Sequence, residues 1–340
     1  MLDFIRVAAC VPTVTVGNTL RNTEAILGMA RKAAEKQPQL TVFPELSLTG
    51  YTCADLFFQS ALLQGAKDGL REIVRASAAL SSALAVGLPL ELGGRLYNCA
   101  AIVAGGRLLG LVPKTYIPNY NEFYEKRWFT PGAELALSEV SAEALGLGDL
   151  QGEAVPIGTD LIFDAGAFRF GAEICEDLWA TVPPSAYLAM GGAEVMLNLS
   201  ASNETISKRR YRRSLVSAQS AAQLDGYVYV SAGCTESTTD LIFSGHSMIC
   251  EAGRMIAENR ETIDGDYILF GDIDLGKMRV DRLKIKTFAD GAAQNAHSFR
   301  RVAVPLEIPE NDLSYYPVSR LPFVPDAKSD RTERCMDIFE

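Results

Sequence analysis

Apolar and polar positions follow two different periods in the first part of the chain. Nearly continuous apolar runs at 5–11 and 40–43 are typical of buried strands. Between them, residues 18–37 place apolar side chains three to four positions apart, which predicts an amphipathic helix. Asn18 or Thr19 could cap this helix. A strand, a helix of this length and a second strand predict a βαβ-like opening.

The pattern changes to short strands after a second predicted helix at about 60–80. Glycine pairs separate these strands, and a Gly-Gly pair followed by arginine at 105–107 predicts a hairpin turn. Further helices are predicted at 184–191 and 207–224. The predicted strands are 83–92, 96–104, 107–113, 168–175, 194–201, 227–233, 246–259 with a tight turn at 251–254, and 266–275. Because hairpins and crossover helices occur together, we predict an α/β sandwich of two mixed sheets covered by helices.

The last part of the chain has a different composition. Residues 305–327 contain five prolines and little periodicity, and we predict an extended arm over 276–327 that crosses a surface. At 328–340 the apolar residues recur on one face, which predicts the start of a helix. Because such a short terminal helix is marginal alone, we expect it to begin a linker to a domain that this chain lacks.

Charge and cysteine usage narrow the classes of partner. The formal net charge of -10 argues against nucleic acid or an anionic membrane as a main partner. No apolar run approaches the length of a transmembrane helix. The seven cysteines include no CxxC pair, and an odd count of this kind is typical of a reducing cytoplasm. We therefore expect a cytoplasmic protein with neither nucleic acid nor membrane as partner.

The scarcity of histidine limits the kinds of catalytic site. The chain has two histidines, His246 and His297. A Ser-His-Asp or Cys-His mechanism would need one of them, and zinc sites usually need more clustered nitrogen or sulfur ligands. No metal site is expected.

Three strand ends carry residues that could perform chemistry without histidine. Glu45 follows a strand in FPELSLTGY, Lys114 follows one in GLVPKTYIPNYNEFYEKRWFTPG, and Cys175 ends the strand FRFGAEIC. Active groups of open α/β sheets usually lie at such strand ends. Each residue also has an ordinary interpretation, since charged residues often follow apolar strands and a free cysteine is more often a small core residue than a nucleophile.

Together the three residue types could supply a base, an electrophile and a nucleophile. A glutamate can serve a thiol as general base in place of histidine. A lysine ammonium favours thiolate and can stabilise an oxyanion, for which the backbone N–H of Glu176 could be a second donor. Acidic neighbours of Cys175 disfavour a thiolate, so its activation must come from elsewhere. We therefore expect Glu45 and Lys114 to lie close to the Cys175 sulfur, and a turn after Cys175 to free its thiol.

Three sequence blocks carry a resemblance to a known family. FPELSLTGY, VPKTYIPNYNEFYEKRWFTPG and GAEICEDLW occur in this order and resemble the Glu, Lys and Cys blocks of the nitrilase superfamily of carbon–nitrogen hydrolases. YNEFYEKRWF and LNLSASNETISKRRYR further resemble the glutaminase domain of glutamine-dependent NAD synthetases. The resemblance implies a four-layer αββα sandwich over 1–275 that hydrolyses L-glutamine to glutamate and ammonia through a thioester.

The resemblance also implies roles for individual residues. Cys175 would be the nucleophile, Glu45 the base and Lys114 the cation at the oxyanion, and Glu125 matches a second glutamate beside these three. Four residues fall where the family places contacts to glutamine: Tyr120, Trp179, Ser202 and Lys208. For Lys208 the alternative is a solvated basic helix start, since it opens the run KRRYRR.

A partner domain is implied as well. The resembled enzymes carry a C-terminal synthetase domain that uses ATP, adenylates nicotinic acid adenine dinucleotide and consumes the ammonia. The SGG-type signature of its ATP-pyrophosphatase loop does not occur in this sequence. No cofactor is therefore expected for this chain. Its partners would be L-glutamine, that synthetase domain and, by resemblance, further copies of the chain in a homo-oligomer.

Two other functions stay open at this point. A stand-alone nitrilase-type amidase or carbamoylase would act on another small amide with the same three groups. A non-catalytic regulatory or assembly domain would not need Glu45, Lys114 and Cys175 together, so their joint presence favours an enzyme.

Overall fold

The structure, a computed structural model, describes residues 3–236, 241–295, 297–318 and 328–339. Its α-helices are α1 (Thr19–Ala34), α2 (Ser60–Ser77), α3 (Pro184–Met190), α4 (Lys208–Gln223), α5 (Leu275–Lys284), α6 (Lys286–Gln294) and α7 (Lys328–Phe339). Its strands are β1 (Phe4–Val11), β2 (Leu40–Val42), β3 (Ala83–Leu92), β4 (Arg95–Ala104), β5 (Arg107–Pro113), β6 (Asn119–Tyr120), β7 (Phe123–Tyr124), β8 (Glu139–Val140), β9 (Val155–Pro156), β10 (Leu161–Asp164), β11 (Arg169–Ile174), β12 (Val195–Ser200), β13 (Gly226–Ser231), β14 (Met248–Glu251), β15 (Arg254–Glu258), β16 (Tyr267–Asp274) and β17 (Arg300–Ala303).

Two large mixed sheets form the centre of the molecule. The first has the order β16-β1-β2-β3-β4-β5, and the second has the order β15-β14-β13-β12-β11-β10-β17. Parallel pairs join β1, β2 and β3 in the first sheet and β11, β12 and β13 in the second. Aliphatic and aromatic side chains from both sheets, such as Val7, Val42, Phe170 and Val230, form one buried core between them. The predicted mixture of crossovers and hairpins is therefore present.

Helices cover the outer face of each sheet. Ile26 of α1 and Leu70 of α2 belong to a core shared with the first sheet. Leu188 of α3 and Val216 of α4 belong to a core shared with the second sheet. The layers run helix, sheet, sheet, helix, which confirms the predicted four-layer αββα sandwich.

Local sequence features account for several element ends. The Asn18 side chain accepts a hydrogen bond from the backbone N–H of Arg21, as predicted for a helix N-cap. The glycine pairs at 93–94 and 105–106 have positive φ in the turns that flank β4. Glycine adopts this conformation without a steric penalty, so the chain reverses there into antiparallel neighbours.

The segment 276–327 is not an extended arm throughout, and this prediction was wrong for its first part. Helices α5 and α6 and the edge strand β17 occupy it, whereas the prolines that suggested an arm all lie from 305 onward. Residues 305–318 contain no helix or strand and contact both sheets, since Arg254 of β15 donates to the Pro317 carbonyl oxygen. There Asp272 of β16 accepts a hydrogen bond from the backbone N–H of Tyr315. The remainder of the predicted arm, 319–327, falls outside the described residues.

The terminal helix predicted over 328–340 is present as α7, with residue 340 outside the described part. Its role as a linker stays a prediction. Across the residues described, no helix combines the length and apolar character needed to span a lipid bilayer.

Candidate active site

Glu45, Lys114 and Cys175 lie just beyond the carboxyl ends of β2, β5 and β11. Their exposed fractions are 1%, 1% and 6%, so all three are buried. Because β2 and β5 belong to the first sheet and β11 to the second, the two sheets together build one site.

The Lys114 ammonium is held between two carboxylates. Its Nζ lies 2.7 Å from Oε1 of Glu45, and 2.9 and 2.8 Å from the two carboxylate oxygens of Glu125. Burial alone would lower the pKa of Lys114, but the charges of Glu125 and Glu45 outweigh it and raise that pKa well above its ordinary value. Lys114 is therefore a fixed cation, suited to electrostatic stabilisation rather than to proton transfer.

Glu45 presents one oxygen to protein donors and leaves the other free. Oε1 accepts hydrogen bonds from Lys114 and, at 2.7 Å, from Nδ2 of Asn98. Oε2 is buried and has no hydrogen-bond partner within the described residues. A buried polar atom without a partner costs free energy, and such exceptions often mark chemical function. This oxygen is available to accept a proton from a group in the site.

The chain turns sharply at Cys175. Strand β11 ends at Ile174, and a 3-10 turn over Cys175–Trp179 begins with Cys175 at φ 44°. A non-glycine residue in the left-handed region is strained, and such strain is often found at functional sites. The turn predicted at this position is therefore present.

One of the acidic neighbours faces away from the thiol. The Glu173 carboxylate accepts hydrogen bonds from the Tyr227 hydroxyl and from the backbone N–H of Ser185, on the side covered by α3 and α4. Cys175 instead belongs to the core between the sheets. In a regular strand the two side chains would share a face. The left-handed backbone at Cys175 breaks that alternation.

Electrostatics keep Cys175 protonated in the unligated site. Burial raises the pKa of the Cys175 thiol, the charges of Glu45 and Glu125 add to this rise, and Lys114 acts in the opposite direction. Both predicted partners therefore act electrostatically on the thiol. Because the resting group is a thiol, attack on a substrate requires a base that takes its proton at that moment.

Cys175 lines a cavity of about 250 Å³. Glu125 and Glu176 also line it, together with the four residues predicted to contact an amide substrate, Tyr120, Trp179, Ser202 and Lys208. The cavity is slightly smaller than the usual range for small-molecule sites. All the site residues predicted from the sequence thus either line this cavity or, in the case of Glu45 and Lys114, belong to the ion-paired group that includes Glu125.

Lys208 lies in a polar and aromatic setting. Its Nζ contacts Oδ1 of Asn203 and lies 5.2 Å and 5.6 Å from the ring centroids of Phe123 and Trp179. Nδ2 of Asn203 donates to Glu122 at 2.7 Å. Burial lowers the pKa of Lys208. This lysine is therefore not the freely solvated helix-start residue that was its alternative interpretation.

A tyrosine fixes the glutamate that follows the cysteine. The Tyr120 hydroxyl donates to both carboxylate oxygens of Glu176, at 2.8 and 3.0 Å. Burial raises the pKa of the Glu176 carboxyl. The role of the Glu176 backbone N–H as an oxyanion donor stays a prediction.

Asp177 joins the segment after β5 to the turn after β11, and the sequence analysis missed it. Its carboxylate accepts hydrogen bonds from the backbone N–H groups of Thr115 at 3.1 Å, Tyr116 at 2.8 Å and Ile174 at 3.0 Å. Asp177 lies within the quoted block GAEICEDLW, but its partners across the two sheets are visible only in the structure.

Two more residues that the sequence analysis missed contact the site carboxylates. Asn98 of β4 donates to Glu45, and the Tyr51 hydroxyl donates to Oε1 of Glu125 at 2.8 Å. Tyr51 ends the block FPELSLTGY and could have been considered there. Asn98 lies inside an apolar strand, where nothing in the sequence marks it as a site residue.

The structure places His246 outside this site. His246 contacts Arg212 and Glu258, and burial together with the Arg212 charge lowers its pKa to about 4. Within the ranges that the structure describes, no group of three His, Cys, Asp or Glu side chains is arranged to hold a metal ion.

Comparisons with known sequences agree with the resemblance to carbon–nitrogen hydrolases. A profile described as carbon-nitrogen hydrolase matches residues 6–282. The glutamine-dependent NAD(+) synthetase of Mycobacterium bovis is 39% identical over 343 residues, which cover 99% of this chain and 49% of that protein. The enzyme of the same name from Rattus norvegicus is 29% identical over 303 residues, covering 88% of this chain and 41% of that protein. The chain thus spans about half the length of the curated relatives it matches.

Solved structures agree with these matches. A glutamine-dependent NAD(+) synthetase from Cytophaga hutchinsonii superposes with a TM-score of 0.70 at 26% identity, covering 79% of this chain and 43% of that chain. A nitrilase-superfamily member from Saccharomyces cerevisiae has a TM-score of 0.62 at 18% identity, covers 83% and 94% of the respective chains, and supports the fold alone. Because the family profile matches most of this chain, the chain belongs to the carbon–nitrogen hydrolase family.

Proposed function

We propose that this chain hydrolyses L-glutamine to glutamate and ammonia, as the ammonia-supplying domain of a glutamine-dependent NAD synthetase. The observation that carries the proposal is the Glu45 Oε2, which accepts no hydrogen bond from any described residue and lies in a buried site with the Cys175 thiol and the Lys114 cation. Relatives named glutamine-dependent NAD(+) synthetase support glutamine as the amide.

The first half of the reaction forms a thioester. Glu45 takes the thiol proton as the Cys175 sulfur attacks the carboxamide carbon. The Lys114 ammonium and the backbone N–H of Glu176 stabilise the resulting oxyanion. The carbon–nitrogen bond then breaks as Glu45 returns its proton to the nitrogen, and ammonia leaves.

The second half of the reaction hydrolyses the thioester. Glu45, again a carboxylate, takes a proton from a water molecule as that water attacks the acyl carbon. The same donors stabilise the second oxyanion. The carbon–sulfur bond breaks, Glu45 returns the proton to Cys175, and glutamate leaves.

Charges at the cavity favour an amino-acid amide over a simple amide. Lys208 is a cation that could pair with an α-carboxylate, and Glu122 and Glu176 are carboxylates that could pair with an α-ammonium group. A neutral aliphatic amide would form no ion pair with these groups, so it would gain less binding free energy at this cavity than an amino-acid amide.

The wider setting of the reaction is part of the proposal. A synthetase domain would consume the ammonia, and ATP and nicotinic acid adenine dinucleotide would bind to that domain, leaving this chain without a cofactor. We further propose a cytoplasmic location and a homo-oligomeric assembly. The absence of CxxC pairs in the sequence supports a reducing compartment.

Ammonia release from glutamine tests this function, with a second buried cysteine as the matched control. Cys250 lies in the core of β14, so Cys250→Ala removes an equivalent thiol outside the site. We expect the wild type and Cys250→Ala to release ammonia and Cys175→Ala to release none.

The assay should be run with and without a synthetase domain, and with a panel of asparagine, propionamide and an N-carbamoyl amino acid. Turnover of one of these amides but never of glutamine would instead support a stand-alone amidase or carbamoylase. No turnover of any amide would support the non-catalytic alternative.

A further inference from the structure

Glu125 has a second partner besides Lys114, contributed by the loop that follows β2. The Tyr51 hydroxyl donates to Oε1 of Glu125 at 2.8 Å. Tyr51 is only 8% exposed, and its ring packs edge-on against Phe243 with centroids 5.8 Å apart. Burial and the ring contact therefore fix the direction of this hydroxyl.

The backbone of the same tyrosine is fixed by a carboxylate beyond β13 of the second sheet. Oε1 of Glu236 accepts from the backbone N–H of Tyr51 at 2.8 Å. Oε2 of Glu236 accepts from the backbone N–H and the hydroxyl of Thr52, at 3.2 and 3.0 Å. Glu236 is 5% exposed, so three neutral donors compensate for the burial of its charge. The loops after β2 and β13 are thereby tied together.

We propose that Tyr51, anchored by Glu236, is a positioning residue that keeps Glu125 ionised and correctly placed beside Lys114. The inference rests on the proposed function, because it concerns the same hydrolytic site. Glu125 receives two contacts from Lys114 and one from Tyr51, and a carboxylate that accepts several donors is stabilised in its charged form. An ionised Glu125 shares the Lys114 ammonium with Glu45 and so fixes where that cation lies.

The charged and titratable groups around Glu125 come from several elements. Lys114 follows β5, Glu45 follows β2, and Cys175 and Glu176 follow β11. Burial raises the pKa of Glu125 and the Glu45 charge adds to the rise, while the Lys114 charge and the Tyr51 hydrogen bond lower that pKa.

Removing the Tyr51 hydroxyl is expected to raise the pKa of Glu125. One of the interactions that lower the Glu125 pKa is lost, so Glu125 takes up its proton at higher pH in Tyr51→Phe than in the wild type. Protonated Glu125 no longer pairs with Lys114 as an ion. The rising limb of hydrolysis with pH is therefore expected to move to higher pH in this variant.

The direct test is the titration of Glu125 in protein labelled with carboxyl-13C glutamate, with its NMR signal assigned by Glu125→Gln. We expect the titration midpoint in Tyr51→Phe to rise by about one pH unit. The pH profile of ammonia release should shift in the same direction, with a larger fall in kcat than rise in KM. Glu236→Gln, which keeps the shape but disturbs the anchor, should move the midpoint in the same direction.

Tyr227→Phe is the matched control, because Tyr227 is a buried tyrosine that donates to Glu173 on the helix-covered face. It should leave the Glu125 midpoint unchanged. A Glu125 midpoint in both Tyr51→Phe and Glu236→Gln equal to that of the wild type would overturn the inference. The NMR titration does not depend on glutamine turnover, so an inactive wild type would contradict the proposed function and leave this test intact.

Discussion

Glu45 and Glu125 bind the same ammonium but are held in different ways. Both oxygens of Glu125 contact Lys114, and Oε1 also accepts from Tyr51. Glu45 uses one oxygen for Lys114 and Asn98, and its other oxygen has no hydrogen-bond partner in the part of the chain that the structure describes. Of these two glutamates, Glu45 can therefore accept a proton without giving up a hydrogen bond to the described residues, which supports its proposed role as base.

Glu45→Gln tests this division of roles. The amide keeps the shape of the side chain but cannot act as a general base, so ammonia release should fall by about 10²- to 10⁴-fold. Stopped-flow or single-turnover assays of ammonia release measure the effect. Glu134→Gln, at a surface position, should behave as the wild type. Activity of Glu45→Gln within a few-fold of the wild type would remove Glu45 from the mechanism.

Asp177→Asn tests the connection between the lysine and cysteine segments. The carboxylate accepts three backbone N–H groups, and an amide offers one acceptor oxygen in place of two. We expect a loss of about 1–3 kcal/mol in the free energy of unfolding by urea denaturation, together with a lower kcat. Unchanged stability and kcat would show that Asp177 does not hold the two segments in place.

At the scale of elements, strand β3 supports the turn that carries Glu45. A Cβ atom on Gly87 would lie 2.3 Å from the backbone nitrogen of Leu46 and 2.6 Å from the carbonyl oxygen of Pro44. The Gly87 carbonyl also accepts a hydrogen bond from the backbone N–H of Leu48 at 3.1 Å. Only glycine lets the strand approach this turn so closely.

Gly87→Ala is therefore expected to displace the Glu45 turn. The overlap should destabilise the fold by about 1–3 kcal/mol and reduce ammonia release. Gly28→Ala is the control, because a Cβ there meets nothing within 4 Å and alanine favours the helix α1. Urea denaturation and the ammonia assay measure both variants. A Gly87→Ala protein as stable and active as Gly28→Ala would contradict the close packing.

The elements also show what the sequence can predict. Strand ends at Glu45, Lys114 and Cys175 could be placed because apolar runs stop there, and the hairpins around β4 could be placed because glycine pairs interrupt the runs. Helices α5 and α6 were missed; α6 has no buried residue in the structure, and α5 buries few. The contacts of Asn98 and Asp177 could not be predicted, since periodicity carries no information about which strands become neighbours.

At the scale of the whole molecule, a buried ion pair joins the first and the last strand, in chain order, of the first sheet. Arg6 of β1 contacts Asp272 of β16 through Nε at 2.8 Å, and the Asp272 side chain is fully buried. Arg6 also contacts Asp312 and lies over the Tyr315 ring at 4.7 Å from its centroid. The segment after β17 is thus held to the edge of the first sheet.

Asp272→Asn tests this attachment. Asp312 remains as a second partner of Arg6 when Asp272 loses its charge, so we expect a loss of about 1–3 kcal/mol in the free energy of unfolding. Glu153→Gln, which breaks the exposed pair with Arg107, should change little. Urea denaturation of both variants gives the comparison, and equal stabilities would show that the pair does not hold the segment.

The two sheets contribute different parts of one site, so the chemistry depends on the folded sandwich as a whole. Glu45 and Lys114 follow strands of the first sheet, and Cys175 follows a strand of the second. The central claim is that this thiol takes the acyl group of glutamine. Mass spectrometry of acid-quenched protein, mixed with glutamine and digested, tests it most directly. We predict a mass increase of one glutamyl group on the Cys175 peptide of the wild type and none in Cys175→Ala. Glutamate and ammonia formed without an adduct on Cys175, or with an adduct on another cysteine, would contradict the account.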